Sequence, residues 1–338
     1  MVKDIMFKNN IILNKSKRLS KILSSMFLYP EIASLISLIV VIMTFASLNP
    51  SFLTFPVITG ILSIASELGI MSMGVALLMI AGEFNLAVSS ISILHPIIII
   101  FLSNIGISPL LAFIFSLLII AGIGISIGII KVFLNIHSFI VTLAFMFTLR
   151  CILLYITGGV VQKYKSDEYL LTILNGRLIG DFRFSILWIL IFTIILEVLL
   201  KRTKFGNWCY AVGGNPHIAR ELGVKTDYVK IINFMLSSIF AGLTGCFILG
   251  RMGVIDPSVG YGLELESIAA ALIGGCSLFG GFGSITGVFF GSLTLSTFRI
   301  GLVYAGAPLY WYETFVGILL IIAAIINYFT MKKILLYK

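Results

Sequence analysis

Long apolar runs separated by short polar stretches occupy most of the chain. Segments near 31–49, 57–81, 87–103, 109–130, 138–156, 185–200, 229–250, 263–279, 283–303 and 311–329 each approach the length and hydropathy of a membrane-crossing helix, which needs about 20 apolar residues. The pattern predicts an all-α, polytopic membrane protein with about ten transmembrane helices, so that both ends lie on the same side. The stretches around Gly82 and Gly280 interrupt their apolar runs and read as broken or re-entrant segments, which a membrane admits where protein or water satisfies the backbone. Five spans on each side of a polar loop at 157–184 would set two halves in opposite orientation, a known transporter plan, although no internal repeat accompanies it.

Composition agrees with that pattern. Of 338 residues, 59% are hydrophobic and 11% charged, with a mean hydropathy of +1.13, far from the roughly one-quarter charged residues of soluble domains. The formal net charge of +9 is spread between the apolar runs rather than gathered into a patch, which argues for membrane orientation and against nucleic acid as a partner. With the N-terminus inside, 16 Lys and Arg fall on the cytoplasmic side and 5 outside. The expected layout is therefore a basic cytoplasmic arm over 1–30, a membrane domain over 31–329 and a cytoplasmic tail over 330–338. Within the membrane domain, 157–184 is an external loop and 201–228 a cytoplasmic one.

The longest cytoplasmic loop contains GNPHIARELG, residues 214–223. Asn215 suits a helix N-cap, Pro216 the first helical position and Gly223 the left-handed turn that ends a helix. His217, Ala219, Arg220 and Glu221 lie between these caps, in a helix too short to persist alone in water. A second structure must hold it.

Candidate chemistry is sparse. There is no G-x-x-x-x-G-K-[ST], H-E-x-x-H, G-x-S-x-G or paired-Cys metal spacing, so neither a nucleotide-phosphate loop nor a metal site is expected. Cys151, Cys209, Cys246 and Cys276 read as ordinary small, mostly buried residues. In GGCSLFGGFGSITGVFFG the residues Gly283, Gly287 and Gly291 recur at four-residue spacing, a helix-packing surface rather than a phosphate cradle.

Acidic residues beside apolar runs carry more information, because a carboxylate in hydrocarbon is costly and turns toward protein or a watery path. Glu67, Glu83, Glu264, Glu266 and Glu313 qualify, and Asn85 adds a polar neighbour to Glu83. Glu67, Glu83, Asn85, Glu264 and Glu266 are the candidates for a substrate pathway, with hydrogen bonding inside the bundle as the alternative for each. Two function classes follow: a transport subunit that takes work from a soluble partner through the 201–228 loop, or a secondary carrier using its acids for protons or sodium.

The sequence resembles the permease subunits of bacterial ABC importers for monosaccharides, of the ribose, galactose and xylose type. The resemblance covers nearly the whole chain, from YPEIASLISLIV through SLNPSFLT, NIHSFIVTLAFMFTLR and YITGG. Its most specific parts are AVGGNPHIARELGV, LSSIFAGLTGCFILGRMG and GYGLELESIAAALIGGCSLFGGFGSITG, in the family's order. It implies that Asn215, Pro216, His217, Ala219, Arg220, Glu221 and Gly223 form the segment that couples to the ATPase. It implies no cofactor in this chain, with ATP and Mg on the partner ATPase. Further implied partners are an external sugar-binding protein and a second permease copy or paralogue, in the bacterial inner membrane. Related furanoses and nucleosides stay open as substrates. Two departures stand out: GEFNLAVSS replaces the usual G-G-x-D-L-S-V-G-S, and Glu67 stands where the family has an apolar residue.

Overall fold

A computed structural model describes residues 30–164, 168–308 and 310–336. Apart from Pro30, the basic arm expected over 1–30 lies outside the described residues, as do the last two residues of the tail. In chain order the elements are α1 (Pro30–Leu48), a 3-10 turn at Pro50–Leu53, α2 (Phe55–Ile80), α3 (Val88–Asn104), α4 (Pro109–Leu134) and α5 (Ser138–Thr157). Then come β1 (Gln162–Lys163), α6 (Glu168–Asn175), α7 (Phe184–Arg202), α8 (Lys204–Gly214), α9 (Pro216–Glu221) and α10 (Thr226–Met252). β2 (Val254–Ile255), α11 (Leu263–Ile273), α12 (Ile285–Tyr304) and α13 (Trp311–Leu336) complete the fold. β1 and β2 pair antiparallel, a two-residue ribbon that ties the 157–184 loop to the end of α10.

Seven of these helices, α1, α2, α4, α5, α7, α10 and α12, are long and apolar enough to cross a membrane, while α3 and the Trp311–Ile322 part of α13 are shorter apolar helices. The stretch expected to cross at 263–279 is different. It is helical only over the 11 residues of α11, and Gly275, Gly280 and Gly281 take positive φ in the irregular segment that follows. An α-helix of that length spans about 16 Å, roughly half of the hydrocarbon.

The helices sort by burial in a way their sequences explain. In α2, 89% of the span is buried, against 17% in α1 and 22% in α7. α2 packs on α10, α12, α11 and α7, and α10 in turn packs on α3 and α4. Small residues permit these approaches: a Cβ at Gly74 of α2 would lie 2.7 Å from Cβ of Phe240 on α10. The apolar outer faces of α1, α4 and α7 are what lipid requires, since in hydrocarbon close packing of small residues holds helices together.

The break between α2 and α3 is a descent into the bundle. Gly82, with φ of 81°, turns the chain at the end of α2. The amide of Phe84 donates to Oγ of Ser138 at the start of α5 (3.3 Å). Asn85 then accepts from the amide of Ala87 through Oδ1 (3.1 Å) and donates through Nδ2 to Ser237 Oγ (3.4 Å). Ser90, early in α3, reaches the carbonyl of Met146 midway along α5 (2.8 Å). α3 therefore opens inside the bundle, and its irregular lead-in is enclosed by protein as membrane backbone must be.

Candidate functional site

The segment 201–228 forms two helices in series. Thr203 caps α8 by accepting from the amide of Gly206 (3.2 Å). Asn215 ends α8 and opens α9: its Oδ1 accepts from the amides of His217 (3.0 Å) and Ile218 (3.1 Å), and Pro216 takes the first position. Gly223 adopts φ of 83° just beyond α9, a conformation with little penalty only for glycine. Of the short helix, Ala219 is buried, whereas Ile218 and Leu222 are 55% and 79% exposed. Arg220 is exposed, and its guanidinium donates to Thr226 Oγ1 (3.0 and 3.2 Å) and pairs with Asp227. It braces α9 against the first turn of α10. Pro216, His217 and Glu221 are exposed.

α8 is seated on the membrane part by backbone contact. A Cβ at Gly213 would fall 1.8 Å from the carbonyl oxygen of Ile80 and 2.5 Å from the amide of Gly281, and that amide already donates to the Ile80 carbonyl (2.8 Å). The end of α8, the break after α2 and the segment after α11 thus touch at one point. Tyr210 of α8 adds a donor bond to the carbonyl of Gly283 (2.8 Å). Burial pushes its hydroxyl up to about 12, so it stays protonated and donating at neutral pH. Sequence reasoning did not single out Gly213 or Tyr210, although AVGGNP shows the paired glycines.

Gly283 lies at this same junction, where a Cβ would meet the Ile80 side chain at 2.7 Å and Cys276 Sγ at 2.8 Å. Gly287 and Gly291 of α12 lie against α11, their would-be Cβ atoms 2.0 Å from the Gly274 carbonyl oxygen and 2.2 Å from that of Ala270.

The acidic candidates separate into three places. Glu67, buried in α2, accepts from Arg251 Nε (2.7 Å) and a second guanidinium nitrogen (2.9 Å), and Asn175 of α6 donates to it (3.2 Å). Arg183 donates to the Asn175 carbonyl (3.0 Å). A cavity of about 210 Å³ beside this group is lined by Thr59, Ser63, Asp181, Arg183 and Arg251 among others. At the opposite end Glu83 lies between Lys131 of α4 and Lys230 of α10, with Lys230 Nζ 2.6 Å away; Asn85 is fully buried beside it. Glu266 of α11 accepts from Tyr312 (3.1 Å) and faces Arg299 (3.5 Å). Glu264 alone among the five keeps a buried carboxylate oxygen, Oε2, without a hydrogen-bond partner among the described residues.

No group of three or more His, Cys, Asp or Glu among the described residues could hold a metal ion. Glu67, Glu83 and Glu266 inside this bundle are each paired with cations, its broken backbone is enclosed, and one braced helical segment projects from an end where three breaks meet. That is the build of a membrane transport component.

Comparison with known proteins makes the class specific. Residues 57–324 match the family described as "Branched-chain amino acid transport system / permease component". The chain is 31% identical over 292 residues to the xylose/arabinose import permease protein of Sulfolobus acidocaldarius, covering 84% of this chain and 81% of that one. It is 30% identical over 305 residues to the ribose import permease protein of Escherichia coli K12 (88% and 93%). It is likewise 30% identical over 298 residues to the autoinducer 2 import system permease protein of Photorhabdus laumondii (88% and 89%). No solved structure matches. The chain belongs to this permease family: it is a multi-pass membrane protein and the permease component of an ABC importer.

Proposed function

We propose that this permease imports a small sugar of the ribose and xylose class, delivered by an external binding protein and driven by partner ATPase subunits that bind ATP and Mg. The observation that carries the coupling is the exposed apolar pair Ile218, in α9, and Leu222, just beyond it, on a segment braced against α10 through Arg220. On this reading α8 and α9 are cytoplasmic, as the charge bias asks, the 157–184 loop is external, and both termini are cytoplasmic. Closure of the ATPase presses α9, and the Gly213 junction passes that movement to α2 and to the segment between α11 and α12. A second permease copy or paralogue completes the pathway. Furanoses belong to the same substrate class, in keeping with the relative named for autoinducer 2 import.

An ion-coupled carrier fits less well. Such a carrier needs a carboxylate that exchanges a proton or sodium ion, whereas Glu67 and Glu83 are already neutralised by Arg251 and by Lys131 with Lys230. Proteoliposomes holding the permease, its ATPase and its binding protein separate the two. Uptake of D-ribose or D-xylose should require internal ATP and survive an ionophore. Replacing Ile218 and Leu222 by Asp should abolish ATPase association while the permease still folds. Uptake that collapses with the ionophore and ignores ATP would reject the proposal.

A further inference from the structure

One charge inside the bundle has no role so far. Arg150 lies in α5, twelve residues after Ser138 and seven before Thr157, roughly 18 Å and 10 Å from the ends of that helix. It is 7% exposed, and among the described residues it makes neither an ion pair nor a hydrogen bond. Its guanidinium instead lies over the ring of Tyr261, 3.0 Å from the centroid. No Arg150 nitrogen is among the enclosed, unpaired side-chain atoms of the bundle, so its donors reach open space, and a charged residue placed so within a span ordinarily faces a partner or a pathway.

The surroundings show what that partner would be. Tyr261, itself 62% exposed, immediately precedes Gly262, the N-cap of α11, where no side chain satisfies the first-turn amides. Gly260 in the same turn lies against the start of α3, its would-be Cβ 2.8 Å from the Ser89 carbonyl oxygen, and Ser90 bonds the Met146 carbonyl one turn before Arg150. α3 also opens without a side-chain cap. The positive ends of two helices that start within the membrane therefore converge beside Arg150.

Spare donors beside a half-free aromatic ring suit a neutral polyhydroxylated molecule. Its hydroxyl groups accept from the guanidinium, while its C–H face covers the ring. We propose that Arg150 and Tyr261 form a mid-membrane station that contacts the hydroxyl groups of the sugar during passage, with Tyr261 covering Arg150 when the station is empty. This rests on the sugar-importer reading above.

The assembled transporter in proteoliposomes tests it, with D-ribose and D-xylose as probes and sugar moved per ATP hydrolysed as the readout. Arg150→Gln should lower that ratio at least tenfold, with ATPase activity stimulated by the binding protein retained; Arg150→Lys should recover part of the loss. If Arg150→Gln does not fold, Tyr261→Cys in a background without the four native cysteines serves instead. Its labelling by a small water-soluble thiol reagent should slow at least fivefold during sugar turnover. Wild-type import combined with an unchanged ratio in Arg150→Gln, or with labelling of Tyr261→Cys indifferent to sugar, overturns the station alone. A wild-type assembly that imports neither sugar removes the sugar reading and the station together.

Discussion

Glu67 and Glu83 are both buried glutamates near ends of the same bundle, yet they are neutralised in opposite ways. Glu67 meets one guanidinium through two parallel bonds, with Asn175 completing its shell. Glu83 is shared by two ammonium groups from different helices. The forked pair fixes geometry as well as charge, and through Asn175 it locks α6 and the 157–184 loop onto α2 and α10. Two lysines on one carboxylate are point charges on flexible stems, and either one suffices to neutralise it. The rigid arrangement therefore holds the loop end, while the α8–α9 end, where movement is proposed to enter, has charge contacts that tolerate displacement and takes its positional accuracy from backbone contact at Gly213.

Breaking the forked pair should produce the largest effect. Glu67→Ala leaves Arg251 without its carboxylate, and losing one partner of a buried pair costs about 3–5 kcal/mol. Thermal unfolding of the detergent-solubilised protein should show a large fall in apparent Tm, with Glu67→Leu combined with Arg251→Leu recovering most of it. A double variant no more stable than Glu67→Ala would show that packing, not charge, holds that region. Gly213→Ala comes next. Its Cβ meets backbone on α2 and on the segment after α11, and overpacking of this sort costs about 1–3 kcal/mol. Transport should fall more steeply than apparent Tm, because the junction is displaced as well as strained.

Smaller effects sharpen the comparison further. Gly223→Ala places a side chain at φ of 83°, at about 1–2 kcal/mol, and should reduce coupled ATPase activity without loss of expression. Lys131→Met should be the mildest, below about 1 kcal/mol, since Lys230 still pairs with Glu83; the loss is of the order found for weakly contributing pairs. If Lys131→Met proves as damaging as Glu67→Ala, the two ends do not differ in the way their geometry implies.

Much of this was legible in the residues. The caps of α9 follow from Asn215, Pro216 and Gly223, because capping is local and uses backbone groups within three residues. The four-residue spacing of Gly283, Gly287 and Gly291 pointed to close packing, although Gly283 serves the junction rather than α12. Length and hydropathy alone made 263–279 look like a full crossing, since a half-helix followed by an apolar glycine-rich segment has the same composition as a whole one. Arg220 was expected in the coupling segment, and its exposed pairing with Asp227 was visible only when α10 was placed beside α9.

The sequence by itself determined the all-helical membrane class, the family and the existence of a capped cytoplasmic-type helix, because those depend on hydropathy, local backbone chemistry and motif order. Only the tertiary structure decided that Glu67 belongs to Arg251, 184 residues away, that Glu83 belongs to two lysines, and that the Arg150 guanidinium lies over the Tyr261 ring. Charge pairing inside a membrane depends on which helix faces which at a given depth. That is set by the packing of whole helices, and no short stretch of the chain encodes it.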